Sequence, residues 1–219
     1  MEARIDGRSA RRERNRTAVV DAVIALLGEG VLAPTPELVC RRAGVSERSL
    51  FRYFDSLDEL RGAVVERAFR RIEPFLAVAD PARVDLAERI TRLVRDRIAM
   101  YDALGDVARV ARAREFDTPE IACHLKELRK RLRAQVADQF APEFAALERA
   151  AARRRTTLVA ALLSFSSFDF HTRVQASSRA EVRRSWIEGL EVLLAGPPGR
   201  APGRSGAGRA RPQASTTRR

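Results

Sequence analysis

The sequence predicts an all-α chain, and three observations carry that expectation. Apolar residues recur at helical spacing from Thr17 to Ala195, as in Val19, Val20, Val23, Ile24 and Leu27, and again in Leu86, Ile90, Leu93, Val94 and Ile98. No run alternates apolar and polar residues with β-branched enrichment, the pattern of a half-buried strand. Breaks fall at residues that stop helices: Gly28 and Gly30, Gly44, Asp80-Pro81, Gly105, Thr118-Pro119, Pro142, Ser177-Ser178 and Gly196.

The implied helices span residues 14–29, 36–43, 47–53, 57–76, 83–101, 104–114, 118–139, 142–172 and 179–195. The first carries the Val19 to Leu27 stripe and stops at Gly28. Thr35 supplies an N-cap and Pro36 a pre-bent first residue for the second, which Gly44 ends after two turns. Ser46 caps the third, and Ser56 with Glu59 forms a capping box for the fourth. The later helices are bounded by the Pro and Gly positions above. Leu158, Val159, Leu162, Leu163, Phe165 and Phe168 spread around more than one face of the eighth, whereas Val182, Trp186, Ile187, Leu190, Leu193 and Leu194 form a stripe on the ninth.

A chain of 219 residues with 45% hydrophobic and 32% charged content suffices for one core or two small domains. No apolar run approaches the roughly 20 residues a bilayer requires, and the charged N-terminus has no signal-peptide core, so the expectation is a cytoplasmic protein with no membrane partner. Cys40 and Cys123 lie far apart within helical patterns and are expected as reduced, buried thiols. His124 and His171 lack partners at metal-ligand spacing, so neither a metal nor another cofactor is implied. With no Gly-rich phosphate loop, no nucleophile elbow and carboxylates scattered over helix faces, no catalytic residues are assigned and an enzyme is not expected.

The net charge of +12 resembles a nucleic-acid signature, yet it sits mostly at the ends. Residues 197–219 hold six arginines and no acid, and residues 1–16 hold six arginines against Glu2, Asp6 and Glu13. Of 41 basic residues only Lys126 and Lys130 are lysines. The expected organisation is a basic disordered arm (1–13), a DNA-binding domain (14–76), a second helical domain (77–196) and a disordered Arg/Gly/Pro-rich tail (197–219).

The stretch AGVSERSLFRYF, Ala43 to Phe54, concentrates the chemistry. Small residues at Cys40 and Ala43 allow two short helices to cross closely, Gly44 permits a left-handed turn, and Val45 and Leu50 can fill the angle between them. These are the requirements of a helix-turn-helix. Its second helix enters the major groove N-terminus first, making Glu47, Arg48, Ser49, Arg52 and Tyr53 groove-facing candidates while Leu50 and Phe54 point inward. Arg48 and Arg52 share a face, where a guanidinium can bond guanine bidentately or meet phosphate.

Thr35 to Leu60, TPELVCRRAGVSERSLFRYFDSLDEL, resembles the N-terminal DNA-binding domain of the TetR family of transcriptional regulators, over about residues 14–70. The resemblance implies a homodimer on a palindromic DNA operator, probed through two helix-turn-helix motifs, with a C-terminal helical domain that binds a small-molecule effector and dimerises. Carried onto matching positions, it makes Thr35 a residue near phosphate, Ser49 a groove residue and Tyr53 an aromatic near backbone or bases; Ser46, the cap of the third helix, is counted with them among the DNA-binding residues. Phe51 stands where tyrosine is usual and Leu57 where lysine is frequent, so backbone contacts are fewer; Arg14, Arg16 and the N-terminal arm could compensate.

For the second domain the expected effector-cavity lining is Met100, Leu104, Val107, Phe116, Ile121, Leu125, Leu128, Phe165 and Phe168, with Tyr101 and Arg112 as polar candidates. Leu158, Leu162, Trp186, Leu190, Leu193 and Leu194 are expected at a dimer interface formed as a four-helix bundle. The function expected is a repressor released from its operator by a small effector. Two alternatives stay open: a sequence-indifferent DNA-binding protein driven by the Arg-rich ends, and a dimeric small-molecule-binding protein with a weakened DNA head.

Overall fold

The stripe predicted for the first helix is buried in α1 (Glu2–Gly28), through Val19, Val20, Val23, Leu26 and Leu27. In this computed structural model, which describes residues 2–78, 80 and 83–195, α1 begins at Glu2. The stretch 1–13, expected as a disordered arm, is thus helical from residue 2 onward. Its Arg, Ala and Glu residues favour helix, and Arg12 Nη2 donates to the carbonyl of Arg52, 3.2 Å away. The tail 197–219 lies outside the described residues.

Three capped starts follow as expected: α2 (Pro36–Ala43), α3 (Glu47–Tyr53) and α4 (Leu57–Ile72), with Thr35, Ser46 and Ser56 each accepting from the backbone N–H three residues on. Gly44 takes φ 68°, ψ 33°, the left-handed conformation its turn requires. The box at Ser56 is incomplete, because Glu59 accepts from Asp55 N at 2.6 Å rather than from Ser56 N. A complete capping box occurs instead at Ser178 and Glu181.

The second domain holds α5 (Leu86–Ala113), α6 (Pro119–Gln139), α7 (Ala141–Ala145), α8 (Arg149–Leu162), α9 (Phe165–Asp169) and α10 (Arg179–Leu194). A 3-10 turn spans Glu73–Leu76 and a π turn Phe170–Val174, and no strand occurs among the described residues. The predicted break at Gly105 is a local excursion to φ 49°, ψ −133° inside α5 rather than a loop. The single helix expected over 142–172 is instead α7, α8 and α9: Leu163 leaves helical geometry at φ −86°, ψ 16°, and Ser164 caps a new start by accepting from Ser167 N.

α4 joins the domains, packing on α1, α5 and α6, while α10 packs on α5 and α8. Arg67 reaches Asp21 on α1 with two 3.2 Å hydrogen bonds, and Arg71 reaches the same carboxylate at 3.4 Å. Deep in the second domain Arg89, 4% exposed, bonds both oxygens of Glu143 at 2.9 and 2.6 Å and the carbonyls of Gln139 and Val84 at 2.7 and 3.1 Å. That charge is matched bidentately, as burial demands. Cys40 is buried, but Cys123 is exposed, contrary to expectation, because it lies on the outer side of α6. Among the described residues no helix is long and apolar enough to cross a membrane.

Candidate nucleic-acid interface and internal cavity

α2 and α3 pack on either side of the Gly44 turn with Leu50 and Phe54 fully buried, so the face of α3 that carries Glu47, Arg48, Phe51 and Arg52 is turned outward. Arg48 is exposed and finds no partner among the described residues; Glu47, Phe51 and Arg52 are exposed beside it. Phe51 is half exposed. Ser46 Oγ donates to Ser49 Oγ at 3.0 Å, which orients the first turn. Thr35 is exposed at the α2 N-terminus, and its hydroxyl, with the Glu37 backbone N–H, holds the Glu37 carboxyl below the usual range.

Tyr53 departs from expectation: it is buried, not groove-facing. Its hydroxyl accepts from Asn15 Nδ2 at 2.9 Å, and Arg52 stacks over the ring with Cζ 5.4 Å from the centroid. The Asn15 bond, then that from Arg52, holds the phenol below its ordinary value. Tyr53 therefore fastens α3 to α1 and positions Arg52. Asn15 is a contributor that the sequence reading missed, since nothing in its spacing marks it as a neighbour of α3, and Arg12, expected as a cation of the N-terminal arm, reaches α3 as well.

Of the expected α1 cations, Arg14 is exposed, whereas Arg16 is spent internally. It bonds Glu59 at 3.2 Å and lies 4.8 Å over the Phe54 ring. Leu57, where a lysine was the alternative, packs against the core at the start of α4.

The second domain holds a cavity of about 510 Å³ between α4, α5, α6 and α8. Leu104, Val107, Leu125, Leu128 and Phe165 line it as expected. Four expected residues do not. Phe116 is 96% exposed in the turn after α5, and Met100 is packed into the core with none of its surface open. Ile121 lines a neighbouring cavity of about 260 Å³, against the α1–α2 connection, and Phe168 lines a polar cleft beside Asp102 and Arg179.

The cavity also has a cationic lining: Arg112, named as a polar candidate, is joined by Arg97, Arg129 and Arg133, which periodicity did not reveal. Arg97 is 2% exposed, and its Nη2 donates to Gln135 Oε1 at 2.6 Å. Gln135 is itself oriented, donating from Nε2 to the carbonyls of Phe75 and Ala77 at 3.0 and 3.2 Å. Tyr101, also on the wall, donates to the carbonyl of Leu163 at 2.7 Å, and burial pushes its phenol up. Val65 and Phe69 of α4 complete the wall, so the helix that carries the head also bounds the cavity.

The fold recurs in solved proteins. A transcriptional regulator from Rhodococcus sp. Rha1 superposes with a TM-score of 0.65 at 16% identity, over 84% of this chain and 95% of that one. A protein from Mesorhizobium loti MAFF303099 described as a TetR-family transcriptional regulator gives 0.64 at 20% identity, over 84% and 97%. The chain has the TetR fold. A transcriptional regulator from Pseudomonas aeruginosa PAO1 gives 0.62 at 17% identity, over 84% and 92%. No family model and no curated protein matches the sequence.

Within the TetR fold, the expected dimer residues divide. Trp186 and Leu190 are fully buried and Leu194 nearly so within their own chain; Trp186 Nε1 donates to Ser167 Oγ at 3.1 Å. They complete the protomer core and are closed to a partner. Leu158 is 54% exposed, Leu162 and Leu193 are partly buried, and Val192, not anticipated, is 76% exposed.

Proposed function

We propose that the protein is a sequence-specific transcriptional regulator, a homodimeric repressor that leaves a palindromic operator when a small molecule occupies the cavity. The observation that carries this reading is the continuity of α4, which follows α3 after the short link Phe54–Ser56 and contributes Val65 and Phe69 to the cavity wall. An occupant that alters the tilt of α4 alters the separation of two recognition helices, which must match half-sites about one DNA turn apart. The ligand shifts the population only by its differential affinity for the two arrangements.

On the DNA face, Arg48 and Arg52 are the base and phosphate donors, with Ser49 and Thr35 as short polar contacts, Ser46 and Glu47 framing the first turn and Phe51 as an apolar contact. Arg14 follows the backbone from α1, and Tyr53 and Arg16 support the face from beneath. Pairing occurs through the outer faces of α8 and α10, where Leu158, Leu162, Val192 and Leu193 supply apolar area; the cytoplasm is the compartment such a role requires.

Selection from random duplex DNA with the full-length chain, at about 150 mM salt to hold down backbone attraction, tests the reading. A palindrome should be enriched, and sedimentation should give two chains per site. Uniform, salt-labile binding without an enriched motif would overturn it in favour of sequence-indifferent binding.

A further inference from the structure

Resting on the effector-binding reading above, we infer that the cavity takes an amphipathic organic carboxylate. Arg97 places a permanently charged guanidinium at 2% exposure in the wall, where the bond described is to the neutral amide of Gln135. Arg112 shares with Arg129 the field of the nearby Glu115 carboxylate, and Arg133 at the mouth bonds the hydroxyl of Thr157 at 2.8 Å. Glu115 bonds Arg129 bidentately, so one carboxylate stands against these two guanidiniums and Arg97 is left without one among the described residues. The contrast with Arg89 is instructive, because that equally buried guanidinium is matched by Glu143 within the chain.

A buried cation held by neutral dipoles alone is costly, and an anion that binds against it removes the cost. Gln135 is locked by two carbonyls, so Arg97 is oriented before a ligand arrives. The rest of the wall, including Phe69, Leu104, Leu125 and Phe165, is apolar and suits a hydrocarbon or aryl body. A planar carboxylate fits the guanidinium fork bidentately, and the lining contains no acidic residue to repel it.

The test is calorimetric titration of the full-length chain with octanoate, dodecanoate and 2-naphthoate, each beside its neutral alcohol, up to about 1 mM, where binding free energy falls to roughly 4 kcal/mol. At least one acid should bind about 10-fold or more tighter than its alcohol, the gain of a charge-assisted bond. Arg97→Gln should bring that ratio near one while changing the alcohol's affinity little, and Arg112→Gln should lower the ratio with less risk to folding. Equal affinities for acid and alcohol in the unaltered chain overturn the inference. So does the failure of every acid to bind, or an unchanged ratio in a folded Arg97→Gln chain. Each acid is also titrated against the selected DNA. A palindrome without acid preference removes the carboxylate and leaves the regulator; acid preference without a palindrome removes the regulator and leaves the site.

Discussion

Replacing Glu143 by Gln should destabilise the second domain in a pH-dependent way. Arg89 is 4% exposed and Glu143's side chain 18%, and the two share paired bonds at 2.9 and 2.6 Å. Glutamine keeps one acceptor, and Arg89 keeps its bonds to Val84 and Gln139, so the loss should fall below the 3–5 kcal/mol of a fully broken buried pair, at about 2–3 kcal/mol. For a chain of this size that is roughly a 5–10 °C fall in Tm. The bond from Arg89 holds the Glu143 carboxyl below the usual range, so the pair's contribution is complete above the unfolded value and is lost as pH falls through the lower folded one. Circular-dichroism melts of both chains should therefore show the full gap at pH 7, and a narrowing gap below about pH 4. A gap that stays constant from pH 7 to pH 3 would refute the reasoning. The double replacement Arg89→Met, Glu143→Leu should recover much of the loss, since no unmatched charge remains.

Arg48→Ala should weaken binding to the selected operator by about 1–3 kcal/mol with relaxed specificity at one position of each half-site, whereas Arg70→Ala on the exposed side of α4 should leave it unchanged; fluorescence anisotropy reads both. Removing residues 1–13 should flatten the dependence of affinity on salt, because Arg11 and Arg12 leave the DNA face. Asn15→Ala should move the Tyr53 ionisation up toward the ordinary phenol value, seen in alkaline absorbance titration as an upward shift of the first of two tyrosine transitions, with that of Tyr101 unmoved. Gly44→Val should cost about 1–2 kcal/mol, since a branched side chain is forced to positive φ, and chemical denaturation should report it.

Local chemistry was the legible part. Thr35, Ser46 and Ser56 announce three helix starts, Gly44 announces the turn between them, and each signal acts over a few residues, so spacing alone conveys it. What spacing could not convey is which of two apolar faces meets the chain's own core. Trp186 and Leu158 both belong to apolar stripes, but one is sealed by Tyr101 and Phe168 and the other is left outward. Tyr53 was misassigned for the same reason: its neighbour Asn15 is brought to it by the crossing of α1 and α3. Of the cationic wall the sequence marks Arg112 alone, because arginine is so abundant here that Arg97 is distinguished only by its depth.

The scarcity of lysine has a consequence for how this protein can be controlled. Every cation proposed on the DNA face is a guanidinium, which stays protonated at any pH the fold survives. Lys126 and Lys130, the two lysine side chains, sit together on the exterior of α6. Acylation of lysine, which silences charge on many DNA-binding surfaces, has no substrate on this one, and neither mild alkali nor an acetyl donor would loosen its hold on phosphate. On the function proposed above, release is left to what enters the cavity.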